Sequence, residues 1–194
     1  MVYLRVIEQY AHDNKIPIML PDGIEFLTNY IKENKIKTIL EIGSAIGYSA
    51  IKMALVDKDI KITTIERDEK RYKEAIKNIN KMELNDQIEI LLEDALEFET
   101  KKTFDLIFID AAKAQYIKFF EKYKKNLNQN GTIISDNLEF HGLVKNQDSI
   151  TNKNTKQLVK KIQNYIIYLK ENKEFETKFI SIGDGIGISK RSIK

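Results

Sequence analysis

The sequence predicts an α/β fold in which a largely parallel sheet is covered by helices on both faces. Apolar runs typical of strands alternate with amphipathic helical segments through short links. Residues 38–56 read as a strand, a glycine turn and a helix, which is the first unit of a doubly wound domain. Near the carboxyl terminus, Gly183, Asp184 and Gly185 separate two apolar runs and indicate a β-hairpin that adds an antiparallel edge.

The composition is ordinary for a globular protein, with 42% hydrophobic and 31% charged residues. We expect the 194 residues to form a single domain. The absence of cysteine excludes disulfides, thiolate zinc sites and cysteine nucleophiles. No apolar run reaches the length of a membrane span and no signal peptide is visible, so we expect a cytoplasmic protein without a membrane partner. The net charge of +3 permits a nucleic-acid partner but does not require one.

Residues 1–35 are predicted to form N-terminal helices that cap the functional site, and residues 36–194 to form the core. The helical spacing of apolar residues predicts the first helix over residues 2–14. Pro21 opens the second helix, because proline is favoured at the first helical position. The link between the two helices, residues 16–20, is apolar, so we expect it to be buried.

The remaining elements follow from the period of the apolar residues, which is two in strands and 3.6 in helices. The predicted strands occupy residues 38–42, 61–66, 87–92, 104–110, 131–136, 177–182 and 186–190. The predicted helices occupy residues 48–56, 69–82, 116–127 and 155–171. Strand and helix alternate through short links over most of this range, which favours a parallel sheet.

The turn after the first of these strands narrows the choice of ligand. Its pattern is Glu41-x-Gly43-x-x-x-Gly47, whereas a dinucleotide-binding turn has Gly-x-Gly-x-x-Gly and lets the backbone approach a pyrophosphate. The missing middle glycine and the preceding carboxylate suit a nucleoside ligand without a pyrophosphate, above all S-adenosylmethionine. Glu66 ends the next strand, 23 residues after Gly43, where an acid can accept hydrogen bonds from both ribose hydroxyls. The alternative is an ordinary strand, turn and helix with two solvated acids.

Acidic residues stand at the ends of five predicted strands. They are Glu41, Glu66, Asp94, Asp110 and Asp136. In an open α/β sheet these ends line one crevice, and because clustered carboxylates repel one another, a cation is expected there. Asp110, Asp136 and Asn137 offer hard oxygen ligands, which favour Mg²⁺ or Mn²⁺ over zinc. Alternatively, Asp136 and Asn137 form only a turn at the end of a strand.

Lys113 is the candidate base. It lies three residues after Asp110, and an ammonium group beside a metal ion gives up its proton more readily. The alternative is a solvated lysine at the start of a helix. His12 and His141 are the two histidines, and each is expected to be a surface or packing residue. His141 is the better functional candidate of the two, because it follows the proposed metal ligands closely.

Taken together, these motifs resemble those of the metal-dependent class I O-methyltransferases related to catechol O-methyltransferase. The resemblance spans nearly the whole chain and is carried by residues 41–49, 65–67, 94–95, 108–113, 135–137 and 183–185. Within this superfamily the sequence is most similar to the bacterial tRNA 5-hydroxyuridine O-methyltransferases. That closer similarity is carried by residues 16–19, 45–51, 64–67 and 110–113.

The resemblance implies a Rossmann-like class I methyltransferase fold with a seven-stranded, mostly parallel sheet, and a homodimer. It implies S-adenosylmethionine as the methyl donor and Mg²⁺ or Mn²⁺ held by Asp110, Asp136 and Asn137. Asp110 and Lys113 are the implied catalytic residues, and Lys113 matches a lysine viewed as the base in the small-molecule members. The implied cofactor-binding residues are Met19, Glu41, Gly43, Ser49, Glu66, Arg67, Asp94, Ala95 and Asp110.

The implied reaction transfers a methyl group to O5 of 5-hydroxyuridine at the tRNA wobble position and gives 5-methoxyuridine. The alternative is the same transfer to a small catechol-like or caffeoyl-type diol, since both acceptors present adjacent oxygens. A tRNA enzyme needs lysines around the crevice to hold phosphates. The candidates are Lys113, Lys118, Lys145, Lys153, Lys156 and Lys160. A nucleotide-binding oxidoreductase is disfavoured by the turn, and a non-catalytic RNA-binding module is disfavoured by the complete set of acids.

Overall fold

The computed structural model describes residues 2–140, 142–144 and 150–192. The predictions for His141 and Lys145 therefore lie outside the described residues. The strands are β1 (Thr38–Ile42), β2 (Lys61–Glu66), β3 (Ile88–Leu92), β4 (Phe104–Ile109), β5 (Leu127–Ser135), β6 (Phe175–Ile180) and β7 (Ile186–Arg191). The α-helices are α1 (Val2–Asp13), α2 (Pro21–Glu33), α3 (Tyr48–Ala54), α4 (Glu69–Lys81), α5 (Tyr116–Tyr123) and α6 (Lys153–Glu171). Two 3₁₀ turns lie at Lys113–Gln115 and Lys124–Asn126.

The strands form one seven-stranded sheet in the order β3-β2-β1-β4-β5-β7-β6. Strands β1 to β5 pair in parallel, whereas β7 is antiparallel to β5 and β6 is antiparallel to β7. This arrangement confirms the predicted fold, including the hairpin at the carboxyl end. The strand order reverses between β1 and β4, and a ligand crevice is expected outside the carboxyl ends of the strands at such a point.

An apolar cluster lies on each face of the sheet. Helices α1 to α4 contribute to one cluster, for example through Ile7, Leu27, Ile51 and Ile79. Helices α5 and α6 contribute to the other, for example through Phe120 and Tyr165. The central strands β1 and β4 are buried on both sides, which explains why they read as nearly continuous apolar runs. No helix among the described residues is both long enough and apolar enough to cross a bilayer.

The clearest difference from the predicted elements lies between α5 and β5. The predicted helix 116–127 ends as an α-helix at Tyr123, and Leu127 already begins β5, four residues before the predicted start. Leu127 pairs with Phe104 across an irregularity in the strand register. The polar residues 128–130 interrupt the apolar pattern by which a strand is recognised, so this part of β5 depends on pairing with β4 rather than on its own sequence.

Candidate active site

A cavity of about 470 Å³ opens at the carboxyl ends of the parallel strands. Its walls come from the segments that follow β1 to β5 and from the link between α1 and α2. The cavity has the size of a typical small-molecule site. The predicted site residues that line it are Met19, Gly43, Ser49, Glu66, Arg67, Asp94, Ala95, Asp110, Lys113, Asp136 and Asn137. The remaining predicted residue, Glu41, is not part of the lining.

The glycine turn after β1 is bent by residues in the left-handed region. Gly43 has φ 96°, Ala45 has φ 45° and Gly47 has φ 81°. A side chain is excluded at Gly43, because a Cβ atom there would lie 2.3 Å from the carbonyl oxygen of Asp110. The turn therefore packs directly on the residue that follows β4, which brings the predicted cofactor and metal residues together.

Glu66 fixes this turn through its carboxylate. Its Oε2 accepts a hydrogen bond from the backbone N–H of Ala45, and its Oε1 accepts one from the N–H of Asp68, both at 2.8 Å. A backbone N–H that would be available to a phosphate in a dinucleotide-binding turn is occupied here by a side chain. Because each carboxylate oxygen has a second lone pair, Glu66 can still accept hydrogen bonds from ribose hydroxyls in the cavity.

Glu41 lies behind the cavity wall. Its side chain is buried and accepts hydrogen bonds from Ser49 Oγ and Thr64 Oγ1, both at 2.5 Å. Burial raises the pKa of Glu41 to about 7. Ser49 lines the cavity, so Glu41 is placed to orient the Ser49 hydroxyl rather than to touch a cofactor itself.

Arg67 and Asp94 form a loose ion pair on the cavity lining, with 3.8 Å between Nη1 and Oδ2. The Arg67 side chain is 61% exposed, so this pair contributes little to stability. Asp94 Oδ1 also accepts a hydrogen bond from the N–H of Leu96 at 2.8 Å, which fixes the direction of the carboxylate. Met19 and Ala95 are buried and supply apolar lining.

Asp110, Asp136 and Asn137 come together in the same cavity. Asn137 Nδ2 donates a hydrogen bond to Asp110 Oδ1 at 3.0 Å and another to Asp136 Oδ2 at 2.9 Å. Asn137 has φ 64°, a left-handed conformation that asparagine adopts more readily than most residues. Burial raises the pKa of both aspartates, and the charge of Asp110 raises that of Asp136 further. Two acids are thus held close together, and Asp136 is only 3% exposed.

The oxygen atoms of this centre fit a hard divalent cation. Asp136 Oδ1 is buried and has no hydrogen-bond partner among the described residues. A half-turn of the Asn137 amide would exchange Nδ2 for Oδ1 and present an oxygen to the two carboxylates. In the part of the chain that the structure describes, no three Asp, Glu, His or Cys side chains form a metal-binding group. The amide oxygen is therefore needed to complete the donor set.

Lys113 begins the 3₁₀ turn that follows β4 and lines the cavity. Its Nζ lies 5.7 Å from the centre of the Phe140 ring, within the range of a cation–π contact. Burial raises the pKa of Asp110 more strongly than the positive charge of Lys113 lowers it. A cation, two acids and an amide therefore share this part of the cavity.

Asp184 and Phe140 line the cavity although the sequence analysis assigned them no role there. Asp184 is 7% exposed, and its charge raises the pKa of Asp110. The hairpin turn that carries Asp184 is joined to the segment after β5, where the N–H of Leu138 donates to the carbonyl oxygen of Gly185 at 2.9 Å. An acid between two glycines before a strand was the available signal for Asp184. Phe140 has φ 45°, and its sequence context gives no comparable signal.

A sequence model described as O-methyltransferase matches residues 2–192. The chain belongs to the O-methyltransferase family. This membership agrees with the cavity at the strand ends and with the glycine turn that leaves no free N–H of Ala45 for a pyrophosphate.

Similar proteins of known structure or activity support the same class. The solved structure of a candidate caffeoyl-CoA O-methyltransferase from Staphylococcus aureus has a TM-score of 0.93 and 38% identity, and the match covers 97% of this chain and 92% of that one. An O-methyltransferase from Bacillus cereus, solved in complex with SAH (S-adenosylhomocysteine), has a TM-score of 0.83 and 26% identity over 99% of this chain and 91% of that one. A catechol O-methyltransferase of Niastella koreensis is 34% identical over 137 residues, which are 66% of this chain and 62% of that protein.

These matches confirm the class I O-methyltransferase family predicted from the motifs, and they support S-adenosylmethionine as the methyl donor. The names of two of the three relatives refer to catechol and caffeoyl-CoA, and none of the three names refers to tRNA.

Replacing Glu66 tests the cofactor half of the cavity. Glu66→Ala should weaken SAH binding about tenfold or more, because a hydrogen bond to a charged acceptor contributes about 1.5–3 kcal/mol. Isothermal titration calorimetry measures the change in Kd. Glu69→Ala is the matched control, since Glu69 is an exposed acid that pairs with Lys73 and does not line the cavity. Equal affinities of the parent and Glu66→Ala would remove Glu66 from the site.

The buried Glu41 makes stability depend on pH in a defined direction. Its pKa of about 7 in the fold exceeds the ordinary value of 4.5, so its contribution to stability is fully present below pH 4.5 and is lost as the pH rises toward 7. Relative to the parent, Glu41→Gln should therefore gain up to about 3 kcal/mol in free energy of unfolding between pH 4.5 and pH 8. Urea unfolding of both proteins at the two pH values measures this. A difference that does not change with pH would contradict it.

Proposed function

We propose that this O-methyltransferase methylates one of two adjacent hydroxyl groups on a small catechol-like or caffeoyl-type acceptor. The observation that carries the proposal is the centre formed by Asp110, Asp136 and Asn137 inside the cofactor cavity. Two adjacent oxygens suit such a centre, because both can approach one cation. The names of two relatives, which refer to catechol and caffeoyl-CoA, favour the same class of acceptor.

The donor half of the site has the groups that a nucleoside cofactor needs. S-adenosylmethionine would supply the methyl group from its sulfonium centre. We assign the ribose hydroxyls to Glu66, whose carboxylate is already held in place by two backbone N–H groups. Ser49, oriented by Glu41, and Asp94 add polar groups to the same lining. The chain contributes mainly alignment, since an in-line displacement depends on how donor and acceptor are placed.

The acceptor half has the groups that an oxyanion needs. A bound Mg²⁺ or Mn²⁺ would favour ionisation of the acceptor hydroxyl, and lowering the pKa of that hydroxyl by about 3 units corresponds to about 4 kcal/mol. Asp110, Asp136 and Asn137 would hold the ion, and the unpartnered Oδ1 of Asp136 among the described residues is one oxygen available for it. These residues keep the negative charge of the site fixed while the hydroxyl proton leaves.

We assign Lys113, which lines the same cavity, to the transfer of the acceptor hydroxyl proton. In its neutral form Nζ can accept the proton, and in its charged form it can stabilise the oxyanion. The Phe140 ring against Lys113 and the Leu20 side chain add an apolar wall to the cavity. Leu20 is 43% exposed and belongs to the cavity lining. This wall suits the planar ring of an aromatic diol.

A second candidate acceptor is 5-hydroxyuridine at the tRNA wobble position, whose O5 would be methylated to give 5-methoxyuridine. It is favoured by exposed lysines on α6, a helix that packs against the 3₁₀ turn carrying Lys113. Lys153, Lys156 and Lys160 lie in the first half of that helix. Lysines at this position are available to hold the phosphates of a tRNA.

The acceptor is identified by product analysis. We expect the purified protein, S-adenosylmethionine and Mg²⁺ to give methylated catechol or methylated caffeoyl-CoA, detected by mass spectrometry. EDTA should abolish the product, and excess Mg²⁺ or Mn²⁺ should restore it. Asp136→Ala should also abolish the product while calorimetric SAH affinity stays largely unchanged, because Asp136 is assigned to the metal and the acceptor.

The controls separate the two acceptors and the role of the acids. Asp59→Ala removes an exposed acid that does not line the cavity and should leave product formation unchanged. Methylation of tRNA that contains 5-hydroxyuridine, without methylation of either small diol, would favour the second candidate. Full activity in EDTA would give the acids a different role.

Reversing the charge of the α6 lysines tests the tRNA candidate directly. If tRNA is the acceptor, changing Lys153, Lys156 and Lys160 together to Glu should raise the KM for tRNA strongly and reduce its dependence on salt. The matched control changes Lys35, Lys58 and Lys101 to Glu. These exposed lysines precede β1, β2 and β4 and therefore lie at the amino-terminal ends of the strands, opposite the cavity. Equal KM values for the two triple variants would show that the α6 lysines are only a solvated face.

A further inference from the structure

Helix α1 lies outside the cavity, yet its side chains are linked by hydrogen bonds to the glycine turn and to Tyr48, the residue that follows the turn. We infer that α1 is a working part of the cofactor site, in which Glu8 and Tyr3 are positioning residues that set the affinity for the cofactor. This inference rests on binding of a cofactor in the cavity and does not depend on which acceptor is methylated.

The first tie joins Glu8 to Tyr48. The Tyr48 hydroxyl donates a hydrogen bond to Glu8 Oε1 at 2.8 Å. Tyr48 lines the cavity and begins α3 directly after Gly47, and only 5% of it is exposed. Burial is the larger cause and the hydrogen bond to Glu8 the smaller cause of a raised pKa at Tyr48, so its hydroxyl remains a donor. The position of the Tyr48 side chain in the cavity wall is therefore anchored from α1.

The second tie runs through a buried amide. Tyr3 donates a hydrogen bond from its hydroxyl to Asn78 Oδ1 at 3.1 Å, and Asn78 Nδ2 donates to the carbonyl oxygen of Ile46 at 2.9 Å. Asn78 is 2% exposed, so its amide has little access to water that could replace either contact. Ile46 stands between Ala45 and Gly47, which are two of the three left-handed residues of the turn. Tyr3 thus orients the Asn78 amide, and that amide holds the carbonyl group of Ile46 in the middle of the turn.

The glycine turn needs such support because its backbone is strained. A non-glycine residue in the left-handed region costs about 1 kcal/mol or more, and Ala45 is held there with φ 45°. Glu66 holds Ala45 from the cavity side through the N–H of that residue. The two ties from α1 act at Ile46 and Tyr48, just beyond the point that Glu66 controls. A change in the position of α1 should therefore alter the position of Ile46 and Tyr48, next to the bound cofactor.

The packing of α1 makes it a firm base for both ties. Ile7 and Ala11 are each 1% exposed and lie in the same apolar cluster as Ile46, Tyr48 and Ile51. Glu8 itself is exposed at the edge of the fold. Loss of its side chain should therefore affect the Tyr48 hydroxyl much more than the stability of the whole domain.

The test measures SAH binding by calorimetry, without any acceptor. Glu8→Ala should weaken SAH binding about fivefold to tenfold, because it removes the charged acceptor of the Tyr48 hydroxyl. Glu8→Gln keeps an acceptor oxygen and should bind SAH within about twofold of the parent. Tyr3→Phe should weaken binding about twofold to threefold, since it acts through Asn78. Gln9→Ala is the matched control on α1, because the Gln9 side chain donates its hydrogen bond to Asp13 on the exposed face of that helix. The SAH affinity of this variant should equal that of the parent.

A double-mutant cycle identifies the contact that carries the effect. In a Tyr48→Phe background, Glu8→Ala should weaken SAH binding no further. The same loss in both backgrounds would overturn the inference. An unchanged Kd for Glu8→Ala with a lower melting temperature would also overturn it, because α1 would then contribute to stability and not to cofactor binding. Failure of the parent to methylate any acceptor would overturn the proposed acceptor chemistry alone, whereas failure of the parent to bind SAH would overturn both.

Discussion

Two neighbouring carboxylates at the ends of β4 and β5, those of Asp110 and Asp136, impose the strongest constraint on this protein. A buried carboxylate is costly unless hydrogen bonds or a cation compensate for the lost hydration, and the amide of Asn137 contacts both acids. The sheet positions them by extending its hydrogen bonding past the strand ends. The N–H of Asp110 donates to Ile42 at 3.0 Å, and that of Asp136 donates to Ile109 at 3.1 Å. The acids are thus rigid continuations of neighbouring strands.

A different constraint applies to the part of the site around the glycine turn, residues 43–47, whose backbone is strained. The carbonyl of Asp110 lies so close to Gly43 that no side chain fits there, so the turn packs directly on the segment that carries Asp110. Glu66 takes the N–H of Ala45, which leaves a cavity suited to a nucleoside and not to a pyrophosphate. Side chains from β2 and α4 hold this turn, and a side chain from α1 holds Tyr48, the residue that follows it. The packing of the first helix and the shape of this turn are therefore linked.

The antiparallel hairpin connects the two halves. A Cβ atom on Gly185 would lie 2.5 Å from Glu139 Cγ, so the hairpin turn packs tightly on the segment that follows Asp136 and Asn137. Ser181 Oγ donates to Glu139 Oε1 at 2.6 Å on the same side. In the other direction, the N–H of Gly183 donates to Asp22 Oδ2 at 3.0 Å, at the start of α2. One turn thus contacts both the segment after β5 and the start of α2.

The sequence by itself determined the elements and the acids at their ends, because strand period and strand-end position are local properties, and parallel strands bring residues such as Glu66, Asp94 and Asp110 to one edge. Tertiary structure alone decided the rest. Glu41 stays behind the cavity wall because its carboxylate accepts hydrogen bonds from Thr64 on β2 and Ser49 on α3, which only the fold brings to it. Asp184 reached the acids only through the pairing of β7 with β5, a contact between residues far apart in sequence, which no local pattern encodes.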